Sequence, residues 1–336
     1  MIEAYNPTGK TTLADVIAAH AASNPSGMAF IAGGETLSWP QYRDYSDMLA
    51  AAFIAMGLQP GECIGILMPD GAGVHVAFVA CEKAGVIGVG ISGRAGRAEI
   101  EHLLRVTGAV AFLSTMQMHD HDTLQLVAEL KAQGFPLRHH VLMPDQIHGD
   151  VFIDGKNAAA LATQSARAQI ETRRAGPEDV FLLNTTSGTS GMPKCVQQHQ
   201  SRWYKFAECA ELASELNPSD VFLCAVPASV GFGMWTGHFA PTLLGSPTVM
   251  LPKFSTTDLF EAIQTHKVSV LAAVSTQFIM MLNDPDLEKY DLSSLRVMFT
   301  GGEAVPYERA AQFEERTGAS VLQFYGSNET GALCYT

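Results

Sequence analysis

The chain has 336 residues, 47% of them hydrophobic, with 21 Lys and Arg against 34 Asp and Glu, a formal net charge of -13. That length holds two core-forming units of a globular α/β protein, and the composition excludes disorder. With Arg173-Arg174 the densest basic pair, the acidic balance excludes a nucleic-acid surface, so an anionic ligand must be held by local donors rather than a broad positive field.

Met1 to Pro7 lack the basic start and apolar run of a signal peptide. Thr12 caps a helix in which Leu13, Val16, Ile17 and Ala21 recur at helical spacing, ending near Asn24-Pro25. Residues 29–31 and 36–38 flank Gly33-Gly34 as a hairpin. An amphipathic helix over 42–56 stops at Gly57, and 63–68 reads as a buried strand. Helix 74–83, strand 86–91, helix 97–106 and strand 110–113 continue the alternation that parallel sheets with crossover helices require. Residues 146–177, polar and alanine-rich, read as a surface connection with a short helix. A buried strand over 180–183 follows, then a glycine- and hydroxyl-rich loop, a helix over 203–216, strands near 221 and 248, a helix over 259–266, and strands over 268–271 and 296–299. Residues 221–252 carry no charged side chain, but Pro227, Pro241, Pro247 and four glycines interrupt them, so a buried strand, turn and helix is expected rather than a membrane span. Cys63, Cys81, Cys195, Cys209, Cys224 and Cys334 form no Cys-x-x-Cys pair and no regular spacing, which indicates neither a zinc site nor a disulfide framework and gives a cytoplasmic reading.

The loop Thr186-Ser187-Gly188-Thr189-Ser190-Gly191-Met192-Pro193-Lys194 gathers hydroxyls, glycines and a lysine. Glycines let backbone N–H groups approach an anion, hydroxyls add donors and the lysine adds a full charge, so the loop reads as a phosphate grip; a flexible surface turn has the same composition. A Walker loop is not matched, since Cys195 rather than Ser or Thr follows Lys194. Further along stand Gly301-Gly302-Glu303-Ala304, after an apolar strand, and Tyr325-Gly326-Ser327-Asn328-Glu329.

In order and approximate spacing these three segments resemble the adenylate-forming superfamily, which contains acyl-CoA synthetases, peptide-synthetase adenylation domains and firefly luciferase. Thr36 to Tyr42, Gly57 to Glu62 and Glu82 to Val86 extend the resemblance over almost the whole chain. It implies two stacked α/β lobes with mostly parallel sheets and helices on both faces: 63–202 as the first lobe, ending in the phosphate loop, and 8–62 with 203–336 as a discontinuous second lobe holding the adenine and acyl pockets. Family members continue for roughly half as much again, so the resemblance also implies a truncated chain, without the mobile carboxyl-terminal domain and its lysine.

The resemblance assigns roles residue by residue. Thr186 and Lys194 would contact phosphate, with Ser187, Gly188, Thr189, Ser190 and Gly191 lining the grip. Glu329 would ligate magnesium, a role suited to a carboxylate near bridged phosphates, although an acid before Thr-Gly also reads as a helix start. Tyr325 would stack on adenine, with Gly301, Gly302, Glu303, Ala304 and Gly326 alongside, core packing being the other reading of an aromatic beside a strand. Asn328 stands where the family usually has Thr, exchanging a hydroxyl contact to phosphate for an amide. Val230, Phe232, Met234, Trp235 and Thr276 would line the acyl pocket, with core packing again the competing reading. Pro227 takes the place of the aspartate that receives the amino group in amino-acid-activating relatives, which disfavours an amino-acid substrate. His119-Asp120-His121-Asp122 has no further ligand-type residue to complete a metal site, and His199 receives no role.

The expected chemistry is attack of a hydrophobic carboxylate on the α-phosphate of magnesium-bound ATP, giving an acyl-adenylate, then thioester formation with coenzyme A. The expected partners are a small carboxylic acid and a nucleotide, with a homodimer as the assembly considered. A non-catalytic nucleotide- or acyl-binding module of the same ancestry is the alternative, and this stretch alone is expected to have little or no adenylation activity.

Overall fold

The computed structural model describes residues 11–146, 148–186, 191–251 and 253–335. The chain forms two compact units. The first comprises residues 11–26 with Leu37–Ser201, and the second comprises Gly27–Thr36 with the chain from Arg202 onward.

The first unit is built on a sheet in the order Lys156–Asn157, Phe152–Ile153, His139–Leu142, Ala111–Ser114, Cys63–Leu67, Ile87–Ile91, Leu182–Thr185, Cys195–Gln198. Its central pairs are parallel and its outer pairs antiparallel. Val89, Ile91, Leu67 and Phe112 pack on one face against Ile100, Leu103 and Leu104 of the helix Arg97–Thr107 and Leu126, Val127 and Leu130 of the helix Thr123–Ala132. These strands are buried almost without alternation, as parallel strands covered on both faces must be.

The second unit carries a sheet in the order Gly331–Tyr335, Ser320–Ser327, Val297–Gly301, Val270–Ala272, Phe222–Cys224, Thr248–Met250, Met28–Ala32, Glu35–Ser38. From Ser320–Ser327 to Met28–Ala32 the strands run parallel, and Gly331–Tyr335 returns antiparallel at the edge. Leu223, Leu271 and Met298 face a core completed by Leu259, Phe260 and Ile263 of the helix Thr256–His266, Phe278 and Met281 of Ser275–Asn283, and Phe313 of Tyr307–Thr317. Both sheets match the expected α/β class.

The division differs from the sequence reading, which gave all of 8–62 to the second unit. Only the hairpin region belongs there, because Phe30, Ile31 and Ala32 register with Thr248, Val249 and Met250. Its neighbours on either side belong to the first unit: Ala14 N donates to Glu82 Oε1 at 3.1 Å, Tyr42 Oη to His75 O at 3.3 Å, and Lys83 pairs with Asp47 at 2.6 Å. Apolar periodicity says which residues are inside, not which sheet they lie against. Three local differences also appear. The helix Trp39–Ala55 starts before Tyr42, because Ser38 and Gln41 form a capping box and Pro40 suits the first turn. The connection 146–177 contains two short paired strands and the helices Ala158–Leu161, Gln164–Arg167 and Ile170–Arg173. After Phe222–Cys224, the expected turn and helix is a helical run from Gly231 to Leu244 with a π-helical turn at Trp235–Phe239. Among the described residues no helix is long and apolar enough to cross a membrane.

Candidate functional site

In the first unit the strand Leu182–Thr185 enters the hydroxyl-rich loop and Cys195–Gln198 leaves it, with Thr185 opposite Cys195. Thr186 N donates to Lys194 O at 3.0 Å, and Lys194 N donates to Thr186 Oγ1 at 3.2 Å, so two of the expected phosphate contacts close the neck of the loop. Ser187, Gly188, Thr189 and Ser190 lie outside the described residues. Gly191 follows at φ 151°, and Lys194 is exposed with no ion pair among the described residues. His102, from the helix Arg97–Thr107, donates through Nε2 to Pro193 O at 3.1 Å and holds the exit of the loop. No sequence signal marked His102, which lies 91 positions upstream. Cys195 is a half-buried strand residue whose thiol burial pushes up, which disfavours a reactive thiolate.

In the second unit several expected residues meet at the carboxyl ends of parallel strands, where ligands gather in sheets of this type. Gly301 closes the strand Val297–Gly301 opposite Phe324, and a Cβ there would lie 2.6 Å from Phe324 O. Gly302 turns the chain at φ 80°. Glu303 Oε1 then accepts from Thr276 N at 3.3 Å and Ala304 O from Ser275 Oγ at 3.2 Å, fastening this turn to the start of the helix Ser275–Asn283. Tyr325 lies within the strand Ser320–Ser327, and the residue is 69% exposed. The pairing with the edge strand shifts register between Tyr325 and Gly326, an irregularity that re-aims side chains. Asn328–Thr330 form a turn, not a helix start, and Glu329 projects from it exposed, with no cation paired to it among the described residues.

The uncharged stretch divides into open and closed positions. Val230 and Phe232 are half-buried against Cys224, Val226 and Ala272, and Thr276 is exposed. Met234 and Trp235, expected to line the acyl pocket, are fully buried, which favours the competing core-packing reading. Trp235 stacks on Phe206 with centroids 4.3 Å apart and meets Phe299 edge-on at 4.8 Å, while its Nε1 has no hydrogen-bond partner among the described residues. Trp235 opens the π-helical turn Trp235–Phe239, all five residues of which are buried. Phe324, which the sequence reading passed over, links the parts. Its backbone crowds Gly301, and its ring lies 4.7 Å from Phe232 and 5.7 Å from Trp235.

Other charged groups hold the fold. Burial pushes the Glu82 carboxyl up, against hydrogen bonds from Thr12, Ala14 N and Gln200, and Glu82 covers the start of the helix Leu13–Ser23. Arg173 and Arg174, the densest basic pair, donate to Leu58 O and pair with Asp15. In the His119–Asp122 segment, Asp122 accepts from Gln125 N at the start of a helix, and among the described residues no three ligand-type side chains come together for a metal.

Two mostly parallel sheets, each covered by helices, define an α/β protein. The chain belongs to the AMP-binding enzyme family, whose model matches residues 17–336. It is 26% identical to a long-chain-fatty-acid–CoA ligase of Bacillus subtilis (strain 168), over 98% of this chain and 62% of that protein. It is 28% identical to an indoleacetate–CoA ligase of Aromatoleum aromaticum (strain DSM 19018 / LMG 30748 / EbN1), over 95% of this chain and 60% of that protein. The crystal structure of an anthranilate CoA ligase in complex with anthranoyl-AMP shares the fold, with a TM-score of 0.81 at 21% identity, covering 97% of this chain and 61% of that one. The chain thus spans about three-fifths of the length of the relatives it matches.

Proposed function

We propose that the whole protein is an ATP-dependent acid–thiol ligase that converts a hydrophobic carboxylic acid to its acyl-adenylate and then to a coenzyme A thioester. The observation carrying this reading is the grouping of exposed Tyr325, exposed Glu329 and the Gly301–Ala304 turn at the strand ends beside the half-open Val230 and Phe232. Tyr325 offers a face for adenine and Lys194 a charge for phosphate. Glu329 fits magnesium, being an exposed carboxylate without a paired cation among the described residues, and the ion would neutralise charge on the phosphates. The chain's own contribution is positioning and electrostatics, since the carboxylate of the substrate is itself the nucleophile. An apolar and aromatic lining, with Pro227 where an amino-group receptor would stand, favours an aromatic, alicyclic or medium-chain acid over an amino acid. Ligases named for fatty and indoleacetic acids among the relatives support that class.

The test is acid-dependent exchange of labelled pyrophosphate into ATP by the full-length protein with magnesium, over a panel of carboxylic and amino acids. Exchange with hydrophobic acids and none with amino acids is expected, and residues 1–336 alone should exchange little or not at all. Nucleotide binding without exchange by the full-length protein, whatever the acid, refutes the ligase reading and favours a non-catalytic binder.

A further inference from the structure

Asn328 uses its side chain on the protein itself. Its Oδ1 accepts a hydrogen bond from Gly231 N at 2.8 Å. Gly231 opens the helix Gly231–Met234, so its N–H is one of the donors that a helix start leaves without an intrahelical partner, and the residue is buried. A Cβ on Gly231 would lie 2.4 Å from Asn328 Oδ1 and 3.1 Å from Trp203 Cη2, so the glycine leaves the room that the carboxamide occupies. The backbone of Asn328 is held as well, by Arg202 Nη1 donating to its carbonyl at 3.4 Å. A threonine side chain ends one bond short of Oδ1 and cannot make the same contact.

We propose that Asn328 is a positioning residue that ties the turn bearing Glu329 to the segment bearing Val230 and Phe232, and so sets the fit of the carboxylic acid rather than of the nucleotide. This rests on the ligase reading given above. One hydrogen bond fixes two neighbours at once: Glu329 is the next residue after Asn328, and Val230 and Phe232 flank Gly231. Loss of the bond leaves a buried N–H without an acceptor and frees the helix start to shift, which moves the two apolar side chains facing the acid.

The test compares wild type with N328A, N328T, N328D, G231A and G231A/N328A in the full-length protein, by pyrophosphate exchange with separate KM values for acid and ATP. N328A and N328T should raise the acid KM about 10-fold, the equivalent of one lost hydrogen bond, and leave the ATP KM within about 2-fold. N328D keeps an oxygen at the same reach and should return the acid KM to within about 3-fold of wild type. G231A should be impaired because its methyl meets Oδ1, and adding N328A should relieve part of that loss. An unchanged acid KM in N328T, or equal rises for acid and ATP, overturns the proposal. Absence of exchange in wild type would instead refute the ligase reading. The tie is then read from thermal unfolding of the same variants, where G231A and N328A should be non-additive, and strict additivity overturns it.

Discussion

Replacing Asp220 by asparagine tests the framework that aligns the site-bearing strands. Asp220 is 3% exposed at its side chain and precedes Phe222–Cys224, while its partners Ser269 and Arg296 precede Val270–Ala272 and Val297–Gly301. The carboxylate accepts from Arg296 Nε at 2.8 Å, from Ser269 Oγ at 2.7 Å and from Asn217 N at 2.9 Å, and it also pairs with Arg296 Nη2. Arg296 in turn donates to Ser214 O at 2.6 Å, at the end of the helix Gln200–Ser214, where a cation meets the negative end of the helix dipole. Asparagine keeps the shape, removes the charge and turns an amide donor toward the guanidinium. Breaking a buried pair costs about 3–5 kcal/mol, and because Arg296 is 34% exposed at its side chain we reduce the expected loss at pH 7 to about 2–3 kcal/mol. Burial pushes the Asp220 carboxyl up, but the hydrogen bonds from Arg296, Ser269 and Asn217 outweigh it and hold the group below its ordinary value. A depressed folded value means that this stability is present above the unfolded pKa, near ~3.9, and is lost as pH falls through the folded value. The gap between wild type and D220N should therefore close in acid. Urea unfolding followed by tryptophan emission measures it, in a Trp39→Phe background that leaves Trp203 and Trp235 as reporters of the second unit. A loss below about 1 kcal/mol at pH 7, or a gap that persists to about pH 2.5, would refute the reasoning.

Gly301→Ala should cost about 1–3 kcal/mol in thermal unfolding, because the added methyl meets the fixed carbonyl of Phe324 rather than a movable side chain end, and it should raise the ATP KM of the full-length protein. Glu329→Gln should lower pyrophosphate exchange about 100-fold or more without shifting the unfolding midpoint, since the side chain is exposed; unchanged exchange would remove Glu329 from the magnesium role. His140 contacts Ser114 Oγ through Nε2 at 2.9 Å, and burial lowers its pKa to about 4. The unfolded chain takes up that proton first, so stability should fall as pH drops from ~6.5 to about 4, and His140→Gln should flatten the fall in acid-unfolding curves.

The alternation of apolar strands and amphipathic helices was legible in the sequence because parallel sheets bury both faces, so runs such as 63–68 and 296–299 stand out whatever they pair with. The glycine- and hydroxyl-rich loop, the double-glycine turn and the Tyr-Gly-x-x-Glu segment were legible because their composition is local. Partnership was not local. That Met28–Ala32 registers with Thr248–Met250 while its flanking helices join the other unit follows from long-range pairing, which no short window contains. Tertiary packing also decided that Trp235 faces inward among four aromatic rings while Phe232 stays half-open, since periodicity cannot foresee a π-helical turn. It alone gave Asn328 its partner, because a carboxamide 97 positions away is what fills the space beside Gly231. Residue chemistry fixes what a side chain is able to do, and the folded backbone fixes what lies within 3 Å of it, as general hydrogen-bond geometry requires.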